Sequence, residues 1–252
     1  MTNPVFSLKN ATVTVANGTT ILDHLNFDID KDDFITVLGT NGAGKSTLFN
    51  VLSGDLMLTE GSIEHNGEDI SHLPAVKRTS FLARVFQDPK LGTAPRMTVA
   101  ENLLLAEKRG AKRTLRNRKL SAEKLKHYYE LTKTIGNNLE NRLQTATGSL
   151  SGGQRQALSF LMATQVKPGL LLLDEHTAAL DPKTSDQLMA ATNEQVTQNN
   201  LTALMITHNL ADALTYGNRL IVLNAGRIVL DVKNEDKDAL TEAELLKYFV
   251  HS

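Results

Sequence analysis

One stretch near the start of the chain, Gly39-Thr40-Asn41-Gly42-Ala43-Gly44-Lys45-Ser46-Thr47, constrains the fold more than any other. It fits G-x-x-x-x-G-K-[ST], the phosphate-binding loop, which sits between a buried strand and the start of a helix. Both flanks are present. Phe34-Ile35-Thr36-Val37-Leu38 reads as a buried strand, and Ser46 to Ser53 opens an apolar-periodic helix. Glycines let the backbone turn tightly and aim N–H groups at phosphate oxygens, and the helix N-terminus adds positive potential. Lys45 is expected to reach the β- and γ-phosphates of a nucleotide, and the Ser46 hydroxyl to ligate Mg²⁺.

The rest of the chain suits an α/β fold with a mostly parallel sheet. Residues 5–38 carry β-like alternation, as in Thr12-Val13-Thr14-Val15 and Leu25-Asn26-Phe27-Asp28-Ile29, broken at Asn17-Gly18. Asn66-Gly67 between two short strand-like runs is a strong hairpin signal, so an antiparallel β-layer is expected near the N-terminus. From about 97 to 146 the pattern is helical and polar. Leu170–Leu173 and Ala203–Ile206 are short, continuously apolar runs, as strands buried on both faces require. Leu220–Leu223 and Ile228–Leu230, joined by Asn224-Ala225-Gly226, predict a closing hairpin. Thr241-Glu242-Ala243-Glu244 is a capping-box pattern ahead of a C-terminal helix carrying Leu245, Leu246 and Phe249.

Composition removes several classes. Zero cysteines exclude disulfides, thiolate metal sites and thiol nucleophiles. A formal net charge of -1 over 252 residues gives no global drive toward nucleic acid or anionic lipid. No apolar run approaches the roughly 18 residues that a membrane span needs, and Met1–Val5 carries no secretory signal. A cytoplasmic protein is expected, with any membrane association made through a partner.

Further motifs follow in the order a nucleotide hydrolase needs. Asp174 and Glu175 end the Leu170–Leu173 run, at the carboxyl edge where open α/β sheets hold ligands. Asp174 is expected to support Mg²⁺, and Glu175 to polarise an attacking water. Leu150-Ser151-Gly152-Gly153-Gln154 resembles the signature sequence of ABC-type ATPases, which other phosphate-loop proteins lack. Ile206-Thr207-His208-Asn209 resembles the switch histidine of that family, and Val85-Phe86-Gln87-Asp88-Pro89 its Q-loop. Ala178-Ala179-Leu180-Asp181 matches the D-loop. The six motifs span essentially the whole chain.

That resemblance implies a single ABC ATPase domain. Residues 1–86 and 152–252 would form the core and β-layer, and 87–151 a helical subdomain inserted between the Q-loop and the signature. It also implies Mg-ATP held between two subunits arranged head to tail. The phosphate loop of one would face Ser151, Gly152, Gly153 and Gln154 of the other, with Asp181 near the interface. His208 would contact the γ-phosphate, and Gln87 would join Ser46 and Asp174 at the metal. ABC ATPases usually place an aromatic side chain upstream of the phosphate loop to stack on adenine. Matching Asn10–Gly18 to that region puts Val15 there, while Phe6 and Phe27 are expected in the core.

With one phosphate loop, one signature and no membrane span, the chain resembles a separate transporter subunit, peripheral on the inner membrane face through a permease. Asp174-Glu175-His176-Thr177, with His176 where proline is commoner, resembles ATPases paired with branched-chain amino-acid-type permeases. Some relatives of that type serve amino-acid import with an extracellular binding protein. The alternatives are a non-transport ABC ATPase and a low-turnover ATP-dependent clamp. Lys108, Arg109, Lys112, Arg113, Arg116, Arg118 and Lys119 form a basic cluster that suits a solvated segment, or contact with permease loops or headgroups. Nucleic acid is not an expected partner, because the cluster has no interleaved aromatics.

Overall fold

A computed structural model describes residues 4–110 and 120–249. In chain order the elements are β1 (Phe6–Thr14), β2 (Thr20–Ile29), β3 (Phe34–Gly39), α1 (Lys45–Ser53), β4 (Glu60–His65), β5 (Glu68–Asp69) and α2 (Ala75–Arg78). Next come β6 (Leu82–Val85), α3 (Val99–Ala106), α4 (Ala122–Lys133), α5 (Gly152–Thr164), β7 (Leu170–Asp174), α6 (Pro182–Gln198) and β8 (Ala203–Ile206). The chain closes with α7 (Leu210–Thr215), β9 (Arg219–Asn224), β10 (Arg227–Lys233), α8 (Asn234–Asp238) and α9 (Glu242–Leu246).

Two sheets carry the fold. An antiparallel layer runs β2-β1-β4-β5, and a six-stranded sheet runs β10-β9-β3-β8-β7-β6. Five strands of the larger sheet are parallel, and only the edge strand β10 pairs antiparallel, with β9. The central strands are covered on both faces, which is why their sequences are apolar without alternation. Leu170 and Leu172 belong to the core shared with α1 and the β-layer, while Leu171 and Leu173 belong to the core shared with α3, α5 and α6. All four are fully buried, each stabilising the fold by roughly 1.5–3 kcal/mol relative to exposure. By contrast β2, with one face toward solvent, alternates over Leu25–Ile29 as its sequence predicts.

Both expected hairpins form. Asn66 and Gly67 take positive φ (51° and 81°) between β4 and β5, and Ala225 and Gly226 do the same (45° and 77°) between β9 and β10. Between β6 and β7 the described segments hold α3, α4, two short 3₁₀ turns and α5, with no strand among them. The C-terminal capping box is present, yet α9 ends at Leu246, which is exposed; Leu245 is buried, and Phe249 packs beyond the helix end. Of the basic cluster, Lys112, Arg113, Arg116, Arg118 and Lys119 lie outside the described residues. Arg109 is a structural pin, its guanidinium donating to the carbonyls of Ala163 (2.8 Å) and Val166.

Candidate functional site

The parallel strands deliver their carboxyl ends to one edge of the sheet, and every core motif hangs from that edge. β3 runs into the phosphate loop, β8 into Thr207 and His208, β7 into Asp174 and Glu175, and β6 into Gln87. Register keeps these ends level, since Ile206 pairs with both Val37 on one side and Asp174 on the other.

The phosphate loop is braced from behind. Gly44 caps α1 with φ 103°, and a Cβ there would meet the Ile21 carbonyl oxygen at 2.9 Å and Leu22 Cδ2 at 3.0 Å. Any side chain would therefore clash as well as strain the backbone. The β9–β10 turn adds a second brace, with the Gly226 amide donating to the Ala43 carbonyl at 3.0 Å. No side chain caps α1, so the amides of its first turn keep their donor capacity for an anion. Lys45 is buried, and its ammonium donates to the carbonyls of Gly39 (2.6 Å) and Thr40 (3.0 Å). Burial pushes its pKa below the usual lysine value, and the negative charge of Glu175 opposes that shift. Thr40 and Thr47 are half-buried, while Asn41, Gly42 and Ser46 are exposed.

Glu175 leaves β7 with φ 45°, a conformation that costs a non-glycine residue energy and recurs at functional sites. Its backbone is fixed on both sides, the amide donating to the Ile206 carbonyl (3.2 Å) and the carbonyl accepting from Ala178 (3.0 Å). The carboxylate meets His208 at 2.6 Å, Oε1 to Nε2. His208 is held where it is by its successor: Asn209 caps α7, accepting from the amides of Ala211 (2.9 Å) and Asp212 (3.3 Å). Gln87 stands two residues past the end of β6 and is exposed.

Ser151 and its neighbours form a separate concavity, shared with Asn137, Leu180, Asp181 and Thr184 and lined by no residue of the phosphate loop. Ser151 is the N-cap of α5 in a capping box: its Oγ accepts from the Gln154 amide (3.2 Å), and Gln154 Oε1 accepts from the Ser151 amide (3.3 Å). The cap aims the positive end of a thirteen-residue helix at the concavity. Asp181 caps α6 alongside, accepting from the Thr184 amide (3.1 Å), and that bonding lowers its pKa. A Cβ on Gly153 would stand 2.5 Å from Thr184 Cγ2, so the signature helix approaches α6 as closely as it does only with glycine there.

Val15 lies past the end of β1, in the turn to β2, and is exposed at 38%. Its amide donates to the Thr19 carbonyl at 2.9 Å, and its carbonyl accepts from Gly18 at 2.8 Å. Phe6 and Phe27 are buried, as expected, and turn no ring toward the loop's surface.

Residues 22–178 match the ABC transporter family. The chain belongs to that family. It is 46% identical over 233 residues to the tyrosine transport ATP-binding protein of Clostridioides difficile (strain R20291), covering 92% of each chain. It is 35% identical over 228 residues to the spermidine/putrescine import ATP-binding protein PotA of Haemophilus ducreyi, spanning 90% of its own length and 57% of that protein's. Among solved structures it resembles MJ1267, an ATP-binding cassette of an ABC transporter in its ADP conformation (TM-score 0.79, 25% identity, 98% and 99% covered). It also resembles the dimeric post-hydrolysis state of the cassette MJ0796 bound to ADP and Pi (TM-score 0.75, 26% identity, 90% and 98% covered). The ABC ATPase is thus a nucleotide-binding subunit and an ATP hydrolase, with the fold expected from its motifs.

Two residues of this ABC ATPase escaped the motif reading. Arg84, on β6, bonds Asp174 Oδ2 through Nη2 at 2.5 Å. The signal for it was a lone charge among Leu82, Ala83 and Val85, in a strand otherwise apolar. His176, noted only as a departure from proline, is 2% exposed and meets Thr192 Oγ1 at 3.2 Å. Burial alone pushes its pKa down to about 4, so the ring, next in sequence to Glu175, is neutral.

Proposed function

We propose that this subunit powers a membrane importer by closing on Mg-ATP as a head-to-tail pair. The observation that carries the reading is the separation of Ser151–Gln154 from the phosphate loop, the signature lining a concavity to which no residue of that loop contributes. One chain offers half of a site twice, and a second copy turned head to tail completes both halves. Gly39–Thr47 would hold the phosphates, with Lys45 leaving its two loop carbonyls for phosphate oxygens. Ser151 would face the γ-phosphate across the pair, its hydroxyl proton still available while its oxygen caps α5. Asp181 stands at the rim of the same concavity, where the partner would meet it.

The residues present fit magnesium. The Ser46 hydroxyl, the Asp174 carboxylate and the Gln87 amide oxygen are hard oxygen donors on one sheet edge, suited to a cation that is completed by phosphates and water. Bound there, Mg²⁺ would neutralise charge on the triphosphate. Glu175 would orient the attacking water, and His208, bonded to Glu175, would hold that carboxylate and reach the terminal phosphate. Val15 would meet the nucleobase by dispersion alone.

A cleft of about 330 Å³ lies beside β6, lined by Ala75, Leu82, Phe86, Gly92, Met162 and Arg109 among others. Val76, Leu91 and Leu105, each next in sequence to a residue lining it, are exposed large apolar side chains. A largely apolar cleft of this kind suits a permease loop, which would tie the subunit to the inner membrane face. Among the described residues no helix is long and apolar enough to cross a membrane. The cargo proposed is an amino acid, on the strength of the tyrosine transport relative, delivered by an extracellular binding protein. Co-expression with candidate permeases tests this reading. A stable complex whose ATPase activity rises with tyrosine and its binding protein supports it, and ATP turnover indifferent to every permease and solute contradicts it.

A further inference from the structure

Arg84 stands at a junction that no nucleotide-binding motif covers. Its side chain is 11% exposed on edge strand β6, level with Leu172 of β7. Nη2 donates to Asp174 Oδ2 at 2.5 Å, while Nη1 donates to Asn50 Oδ1 at 2.8 Å and lies 3.5 Å from Asp55 Oδ2. Asn50 belongs to α1, the helix that starts at the phosphate loop. The guanidinium also lies over the rings of Phe86 (5.0 Å) and Phe49 (5.9 Å), and Phe86 immediately precedes Gln87. One planar cation therefore ties together the phosphate-loop helix, the acid ending β7 and the segment entering the Q-loop.

We infer that Arg84 is a positioning residue for magnesium: it fixes the carboxylate of Asp174 against α1 so that the acid and Ser46 face the same ion. The inference rests on the assignment of Asp174 and Ser46 to the metal made above. The rigid fork of a guanidinium can hold two acceptors at a set separation, which a lysine ammonium does only loosely. The ion pair uses Oδ2, and among the described residues Oδ1 has no protein donor in hydrogen-bond contact, leaving it for a metal or its water shell. Burial makes the arrangement directional. The partly buried Asp174, 15% exposed, would lose a charge-assisted bond without Arg84 and swing to other partners. The Nε atom of Arg84 is buried with no partner, a cost the native structure tolerates to keep both terminal nitrogens committed.

The test separates nucleotide binding with and without metal. A fluorescent ATP analogue is titrated into wild type, R84M, R84K and D174N, in excess Mg²⁺ and in EDTA. In R84M the gain in affinity from Mg²⁺ should fall by roughly tenfold, the scale of one charge-assisted hydrogen bond, with EDTA affinity unchanged. R84K should fall between R84M and wild type. Equal losses in Mg²⁺ and in EDTA would make Arg84 merely structural, and an R84M gain equal to or above wild type would mean that the pair is idle or masks Asp174. Both outcomes overturn the inference. D174N is the control for the underlying assignment: if it keeps the full Mg²⁺ gain, the metal role of Asp174 fails independently of Arg84. Should R84M bind no nucleotide at all, R84K decides, with a wild-type Mg²⁺ gain overturning the proposal and a reduced one supporting it.

Discussion

Replacing His176 by glutamine is expected to remove a defined part of the protein's sensitivity to acid. The ring is buried between α6 and the end of β7, 2% exposed, with Nε2 on Thr192 Oγ1. Its pKa falls from 6.5 to about 4 on folding, with burial as the cause. A folded value below the unfolded one means that the unfolded chain binds more protons between those limits, so stability is complete above about pH 6.5 and is lost as pH drops toward 4. From pH 7 to pH 5 the loss comes to about 2 kcal/mol by linkage. For a chain of this size that corresponds to a Tm decrease of about 4–8 °C. The glutamine side chain would keep a donor for Thr192 and would not titrate. Scanning calorimetry of both proteins at pH 7, 6 and 5 measures the difference in slope, which cancels any constant cost of the substitution. Parallel declines in Tm would refute the assignment of a buried neutral imidazole at this position.

Two further tests address the composite site. Lys45→Ala should weaken nucleotide binding itself, whereas Ser151→Arg should spare binding by the single chain, cost about 1 kcal/mol of stability through the lost α5 cap, and block pairing. ATPase assays on the mixture of these two variants should recover activity that neither has alone, and an inactive mixture of folded variants would count against sites shared in trans. Val15→Tyr should add a ring to the exposed turn upstream of the loop and tighten ATP binding by about 1–3 kcal/mol, roughly 5- to 150-fold. Titration with a fluorescent ATP analogue checks this, and an unchanged affinity would take Val15 away from the nucleobase.

The nucleotide edge was legible because backbone geometry there demands particular residues. Gly44 has no room for a side chain, Ser151 and Gln154 form a reciprocal cap, and the unbroken apolar runs before Asp174 and His208 suit the doubly covered strands that they form. What stayed hidden depends on pairings across the fold. Arg84 and Asp174 are 90 positions apart, and only the β6–β7 pairing, which sets Arg84 opposite Leu172, brings the guanidinium within reach of the acid two residues on. The burial of His176 likewise comes from α6 folding back with Thr192, sixteen positions on. The strand-like Thr12–Val15 pattern overran its element by one residue because β1 ends at Thr14, where the Val15–Thr19 turn takes over the hydrogen bonds.

The central claim, that ATP closes two copies of this chain around a shared site, is most directly tested by the mass of the Glu175→Gln variant. The substitution keeps the shape of a side chain held at φ 45° and beside His208, and removes the charge that would orient water. Binding should persist while turnover nearly stops. Size-exclusion chromatography with light scattering should then give 27.6 kDa without nucleotide and about twice that in saturating Mg-ATP, two copies held by the ligand each contributes to. A variant that remains at the mass of one chain while its ATP sites are full, or one that hydrolyses ATP at the wild-type rate, would contradict the account.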